Sequence, residues 1–141
     1  MDGEYNEAWL RKAETPVLDG VQAAADSIAA AFRQFLDSEG AAGRKAAIWG
    51  AGAKGVLTLA MVDASSVAYL VDLDPVKHGR FTPVSHLQVS PPDRLLQEPV
   101  DTVIITALAY KDEITRDLLT NYAFRGKIAY LAGGRIVSDP A

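Results

Sequence analysis

The chain has 141 residues, 49% hydrophobic and 23% charged, with a formal net charge of −4. That length suits one domain with a real core and is short for a two-domain enzyme. It contains no cysteine, which excludes disulfides, thiol nucleophiles and thiolate metal sites. Charge is unevenly placed: residues 1–44 carry eight acids against four bases, and residues 45–141 carry ten of each. With no basic patch or run of Lys and Arg, nucleic-acid binding is set aside. No stretch approaches the roughly 18 apolar residues of a membrane span. The opening MDGEYNEAWLRK is polar and acidic where a secretory leader would be basic and then apolar. A cytoplasmic location is the expectation.

Residues 1–14 read as an N-terminal extension, with Tyr5, Trp9 and Leu10 available for one amphipathic turn. Residues 15–141 read as a single domain: a lead-in helix over 15–40 and a core over 45–136. Thr15 and Pro16 give a helix start, N-cap followed by proline at the first helical position. Val17, Val21, Ala24, Ala25, Ile28, Phe32, Phe35 and Leu36 then recur at spacings of three and four, a helical stripe. Gly40 stands where a C-terminal cap would. The stripe either covers one face of a sheet or meets a second chain, and both need the same pattern.

The core opens with a strand over Lys45–Trp49, followed by Gly50-Ala51-Gly52-Ala53-Lys54-Gly55, a G-x-G-x-x-G turn. A helix over Ala53–Val62 and an unbroken apolar strand over Val67–Val71 follow, and Asp72 ends that strand. Each piece suits a phosphorylated nucleotide. Gly50 permits a tight exit, Gly52 close approach of a phosphate, and Gly55 close helix packing. Asp72 lies where a carboxylate accepts ribose hydroxyls. A polar crossover over 76–83 holds Lys77, His78 and Arg80, and no metal-ligand pattern surrounds His78 or His86.

Leu87–Val89 is a short third strand. Ser90-Pro91-Pro92-Asp93 reads as a capping box opening a helix to about Gln97. Asp101–Thr106 is a central strand, 107–111 the turn above it, and Asp112–Tyr122 a helix with Ile114, Leu118, Leu119 and Tyr122 inward. Lys127–Leu131 is the last strand, before Gly133-Gly134 and a frayed tail. Alternating strands and helices predict a Rossmann-like, doubly wound parallel sheet of about five strands in the order 3-2-1-4-5. Its crevice lies above strands one and four. Gly50, Gly52, Lys54, Gly55, Asp72, Asp74, Lys77, Arg80, Tyr110 and Lys111 are the candidate binding residues. Thr106 and either Asp112 or Glu113 stand near them, although an acid in a first helical turn also serves the helix dipole. No nucleophile is paired with a base, so no catalytic residue is assigned.

The strings IWGAGAKG (Ile48–Gly55), VDLDPVKHGRFTP (Val71–Pro83), HLQVSPPDRL (His86–Leu95) and DTVIITALAYKDEI (Asp101–Ile114) resemble the C-terminal domain of the sugar C-methyltransferase family. The likeness runs from about Val17 to Ile136. Those enzymes use S-adenosylmethionine on nucleotide-linked deoxysugars. The pattern usually has asparagine at Asp74, glutamine at His78, glycine at Val84 and tryptophan-asparagine at Tyr110-Lys111. In the family, the cofactor-binding domain, a zinc-binding domain and the catalytic histidine and tyrosine precede this segment, and this sequence has none of them. The resemblance therefore implies an accessory, substrate-side module, with S-adenosylmethionine not expected to bind here and methyl transfer by this chain alone not expected. A nucleotide or nucleotide-sugar at the GAGAKG turn is the first expectation. The alternatives are a small NAD-dependent oxidoreductase, with Asp72 favouring NAD over NADP, and an assembly domain that binds nothing. A methyltransferase partner, or self-association through the 17–36 helix, is the expected protein contact.

Overall fold

The computed structural model describes residues 26–138. Its centre is one sheet in the order β3-β2-β1-β4-β5-β6. The strands are β1 (Ala46–Trp49), β2 (Val67–Val71), β3 (Val89–Ser90), β4 (Thr102–Ile105), β5 (Lys127–Ala132) and β6 (Arg135–Ser138). Around it lie helix α1 (residues 26–41), α2 (Ala53–Ala60), α3 (Arg94–Gln97) and α4 (Lys111–Thr120). Short 3₁₀ turns span Pro75–Lys77 and Leu108–Tyr110. Strands β1 to β5 run parallel, and the expected α/β winding is present. The sheet has six strands rather than five. Gly133 and Gly134 both take positive φ, 57° and 75°, the backbone of a two-residue hairpin turn. The residues expected to fray instead fold back antiparallel on β5.

Alternation along β1 divides the core. Ala46 and Ile48 face Phe32 and Leu36 of α1 and Leu59 of α2. Ala47 and Trp49 face the other way, with Tyr69, Val103 and Ile105, onto Leu95 of α3 and Ile114 and Leu118 of α4. Both faces are therefore covered, which is why these strands show no polar alternation. The described part of the α1 stripe lies against the sheet; Val17, Val21, Ala24 and Ala25 fall outside the described residues, as do Tyr5, Trp9, Leu10 and the Thr15-Pro16 start. Two expected details differ. Leu119 on α4 points outward, 57% exposed. Ser90 does not cap α3: it belongs to β3, and its hydroxyl accepts from Arg94 Nη1 at 2.9 Å.

Helix α1 also ends later than Gly40. Gly43 has φ +71°, its N–H donates to Gly40 O, and Arg44 N–H donates to Glu39 O. That pair of bonds is a Schellman cap with Gly43 as the left-handed residue. The cap turns Arg44 back over Glu39, whose side chain is 1% exposed. Arg44 Nε reaches Glu39 Oε2 at 2.7 Å, Thr102 Oγ1 donates to the same oxygen at 3.0 Å, and Lys127 Nζ reaches Oε1 at 2.9 Å. One carboxylate thus joins the end of α1 to the starts of β4 and β5. Burial alone would push its pKa up, but the bonds from Arg44, Lys127 and Thr102 outweigh burial and hold it below the ordinary glutamate value.

The loop after Phe81 carries strain. Val84 takes φ +64° and His86 φ +53°, and Val84 is 70% exposed. Buried Thr82 fixes the loop, its Oγ1 lying 2.6 Å from Ser85 Oγ and accepting from Leu87 N–H at 2.9 Å. A β-branched residue in the left-handed region costs about 1–2 kcal/mol.

Two outcomes follow from this packing. Glu39→Gln should lower unfolding stability at pH 7 by about 2–3 kcal/mol in urea titrations. Because the folded carboxyl has the lower pKa, its stabilisation is full above the unfolded value and is lost as pH falls through the folded one. The gap between wild type and Glu39→Gln should therefore narrow on acidification from pH 7 to about pH 3; an unchanged gap would contradict the assignment. Val84→Gly should raise the free energy of unfolding in urea titrations by up to about 1 kcal/mol after the added chain entropy of glycine.

Candidate functional site

The parallel register brings three strand tips to one level. Trp49 pairs with Val71 of β2 and Ile105 of β4, so Gly50, Asp72 and Thr106 are each the next residue beyond the ladder. The ladder gains one bond on each side: Gly50 N–H to Val71 O at 2.8 Å and Thr106 N–H to Trp49 O at 3.0 Å. From there the chain leaves β1 toward the α2 face and leaves β4 toward the α4 face. The divergence opens a crevice between them.

Gly50 is required on two counts. Its φ is +127°, and a Cβ would stand 2.3 Å from Thr106 Oγ1. Thr106 in turn donates to Trp49 O and Gly50 O at 3.2 and 3.1 Å, binding the turn to β4. Gly52 differs: it has φ −71° and ψ 161°, and a Cβ there would meet nothing within 4 Å. No contact inside the described chain asks for glycine at this exposed position, where no side chain caps α2. At Gly55 a Cβ would lie 3.6 Å from Gly50 O and Thr106 Oγ1. That is ordinary contact, so the close packing expected of Gly55 would also admit alanine.

Asp72 is engaged by the turn itself. Its Oδ2 accepts from Ala51 N–H at 2.9 Å and lies 3.5 Å from Lys77 Nζ, while Oδ1 accepts from Asp74 N–H at 2.9 Å. The Ala51 amide of the glycine turn is therefore bonded to the protein's own carboxylate. Burial would raise the Asp72 pKa, but the Asp74 and Ala51 amides and then Lys77 overcome it and hold it below the ordinary aspartate value. His78 Nε2 lies 2.6 Å from Asp72 O, which accepts only, so that nitrogen carries the proton.

Beside this latch is a hollow of about 240 Å³ lined by Trp49, Gly50, Asp72, Leu73, Ala107, Tyr110, Glu113, Ile114 and Asp117. Of the expected residues it gathers Gly50, Asp72 and Tyr110, and of the pair at the α4 start it takes Glu113 rather than Asp112. Asp74 caps the Pro75–Lys77 turn, accepting from Val76 N–H at 3.1 Å. Lys77 pairs with Asp72, and Arg80 is exposed on the following loop, outside the lining. Lys111 turns away, its Nζ 3.9 Å from the centroid of the Tyr130 ring. Lys54 lies in the first turn of α2. Trp49 and Asp117 were not singled out from the sequence. Trp49 had a signal, as the last inward residue of β1. Asp117 had one too, four positions after Glu113 on the same helix side.

Among the described residues no three His, Cys, Asp or Glu side chains meet to hold a metal ion, and no helix is long and apolar enough to cross a membrane. The winding, the glycine turn after β1 and the acid at the tip of β2 define a Rossmann-like domain. A family model described as the C-methyltransferase C-terminal domain matches residues 6–131, and the chain belongs to that family. A search of curated proteins finds no match.

The latch gives a direct outcome. The Asp72 carboxyl should titrate below the usual value of about 3.9 when followed by carbon NMR. Lys77→Met should move the midpoint upward while the Ala51 and Asp74 amide bonds remain. A midpoint at or above the usual value would contradict the geometry.

Proposed function

We propose that this chain is a non-catalytic, substrate-side module of a C-methyltransferase system that binds a nucleotide-sugar at the GAGAKG turn. The observation that carries the reading is the hollow at the β1–β4 crevice, lying directly against Gly50. Gly52 supports it: the position is open, unneeded by the fold, and stands over the first-turn N–H groups of α2. Those groups have no acceptor within their own helix and favour an anion. With Ala51 N–H held by Asp72, the phosphate meets the amides of residues 52–55 instead. Lys77 and Arg80 on the neighbouring loop offset the local acids. NAD-linked oxidation has less support, because a hydride acceptor needs a second wall to hold substrate against it.

A thermal-shift panel of NAD, NADP, S-adenosylmethionine and several nucleotide-sugars tests the reading. A nucleotide-sugar at 100 times its Kd should add about 2.7 kcal/mol of stability, a shift of several degrees. Gly52→Ser should leave the unliganded midpoint within a few degrees, since the hydroxyl enters open space and caps α2. The same hydroxyl competes for the amides the phosphate needs, so affinity should fall about tenfold or more. A response to NAD alone would support the oxidoreductase instead. Silence across the panel would support the assembly domain.

A further inference from the structure

The lining of the hollow restricts which end of such a ligand enters it. It contains three carboxylates, Asp72, Glu113 and Asp117, and no lysine or arginine. The rest is apolar or aromatic: Trp49, Leu73, Ala107, Tyr110 and Ile114. The three acids form no metal-ligating group; they come from two elements, Asp72 from the tip of β2 and Glu113 and Asp117 from one side of α4. Each retains acceptor capacity, since a carboxylate offers about four acceptor sites. Asp72 uses Oδ1 on a single N–H. Asp117 Oδ1 accepts from Asn121 Nδ2 at 2.9 Å, which leaves Oδ2. Glu113 is exposed at the rim, in the first turn of α4.

A phosphate or a carboxylate placed here would face Glu113 and Asp117 with no base in the wall to offset them, Asp72 being paired with Lys77 from outside the lining. A hydroxyl or an ammonium would find acceptors at spaced positions and apolar surface between them. The size of the hollow suits one ring, not a whole nucleotide. We infer that it takes a single sugar-sized ring bearing hydrogen-bond donors, hydroxyls or an amine. It rejects rings that carry an acid, and the anionic end of the ligand stays outside on residues 52–55. This rests on the nucleotide-sugar reading and adds the orientation of the ligand and the chemistry of its ring.

The test is a nitrogen-15 NMR titration of the chain with four base-free probes at millimolar concentrations. They are inorganic phosphate, glucose 1-phosphate, glucosamine 1-phosphate and glucuronic acid 1-phosphate. The two neutral or aminated sugars should perturb the Trp49 indole and the amides of Tyr110, Glu113 and Asp117, and inorganic phosphate should perturb only residues 52–55. Glucose and glucosamine phosphates separate the hydroxyl and amine forms of the donor. Glucuronic acid 1-phosphate should bind about tenfold more weakly than glucose 1-phosphate. Glu113→Gln with Asp117→Asn should erase that difference, with the unliganded spectrum reporting that the fold is kept. Equal binding of the glucuronic and glucose compounds would overturn the inference. So would identical shifts for all four probes confined to residues 52–55, while leaving the anion on the turn intact. No shift at either the turn or the hollow with any probe would overturn both.

Discussion

The Ala51 N–H to Asp72 Oδ2 hydrogen bond ties the glycine turn to the tip of the neighbouring strand. It exists because β1 and β2 end at the same level, Trp49 opposite Val71, so the residues after each strand emerge side by side. Asp74 and Lys77 complete the carboxylate's environment from the same loop. A bond to an ionised acceptor is worth about 1.5–3 kcal/mol, more than its neutral counterpart. The latch holds one wall of the crevice, and Thr106 holds the other by bonding to Trp49 O and Gly50 O. Beside them lies the hollow, walled by Trp49, Asp72, Tyr110 and Ile114.

At the opposite end of the sheet, Glu39 performs a comparable task. It gathers Arg44, Thr102 and Lys127 around one buried carboxylate, so α1 cannot slide along the strands it covers. Burying that charge is costly, and only a full set of partners makes it tolerable. The sheet is therefore fixed by an acid at each end, one beneath the core and one at the crevice. The upper one differs in that it retains acceptor capacity for a ligand.

Local signals in the sequence carried most of the architecture. Five strands, their order and the turn from β1 into α2 follow from apolar runs, glycines and helix periodicity. The glycine pair at 133–134 is also a hairpin signal for β6, weakened by how few and mixed the residues after it are. Gly40 and the Ser90 box misled because each has the right residue in a frame the neighbours override: Gly43 takes the cap, and β3 takes Ser90. Contacts across long separations left no trace. Glu39 lies 63 residues from Thr102 and 88 from Lys127. Asp72 stood in the right place, but its bond to Ala51 depends on the register of two strands. Tyr110 and Lys111 diverge because a 3₁₀ turn passes into α4 between them, sending one to the hollow and the other to Tyr130. The glycine usual in the family pattern at Val84 has a physical reason in this chain, a backbone at φ +64°.

The chain belongs to the C-methyltransferase C-terminal domain family, and the proposed reading gives it the binding side of that system. On that reading the acids lining the hollow accept the hydrogen-bond donors of the ligand. A crystal structure of the chain bound to a nucleotide-sugar tests the account most directly. It should show the sugar ring between Tyr110 and Asp72, diphosphate oxygens on the amides of residues 52–55, and the Ala51–Asp72 bond intact. A diphosphate seated on Ala51 N–H with Asp72 displaced, or a ligand bound away from the β1–β4 crevice, would contradict it.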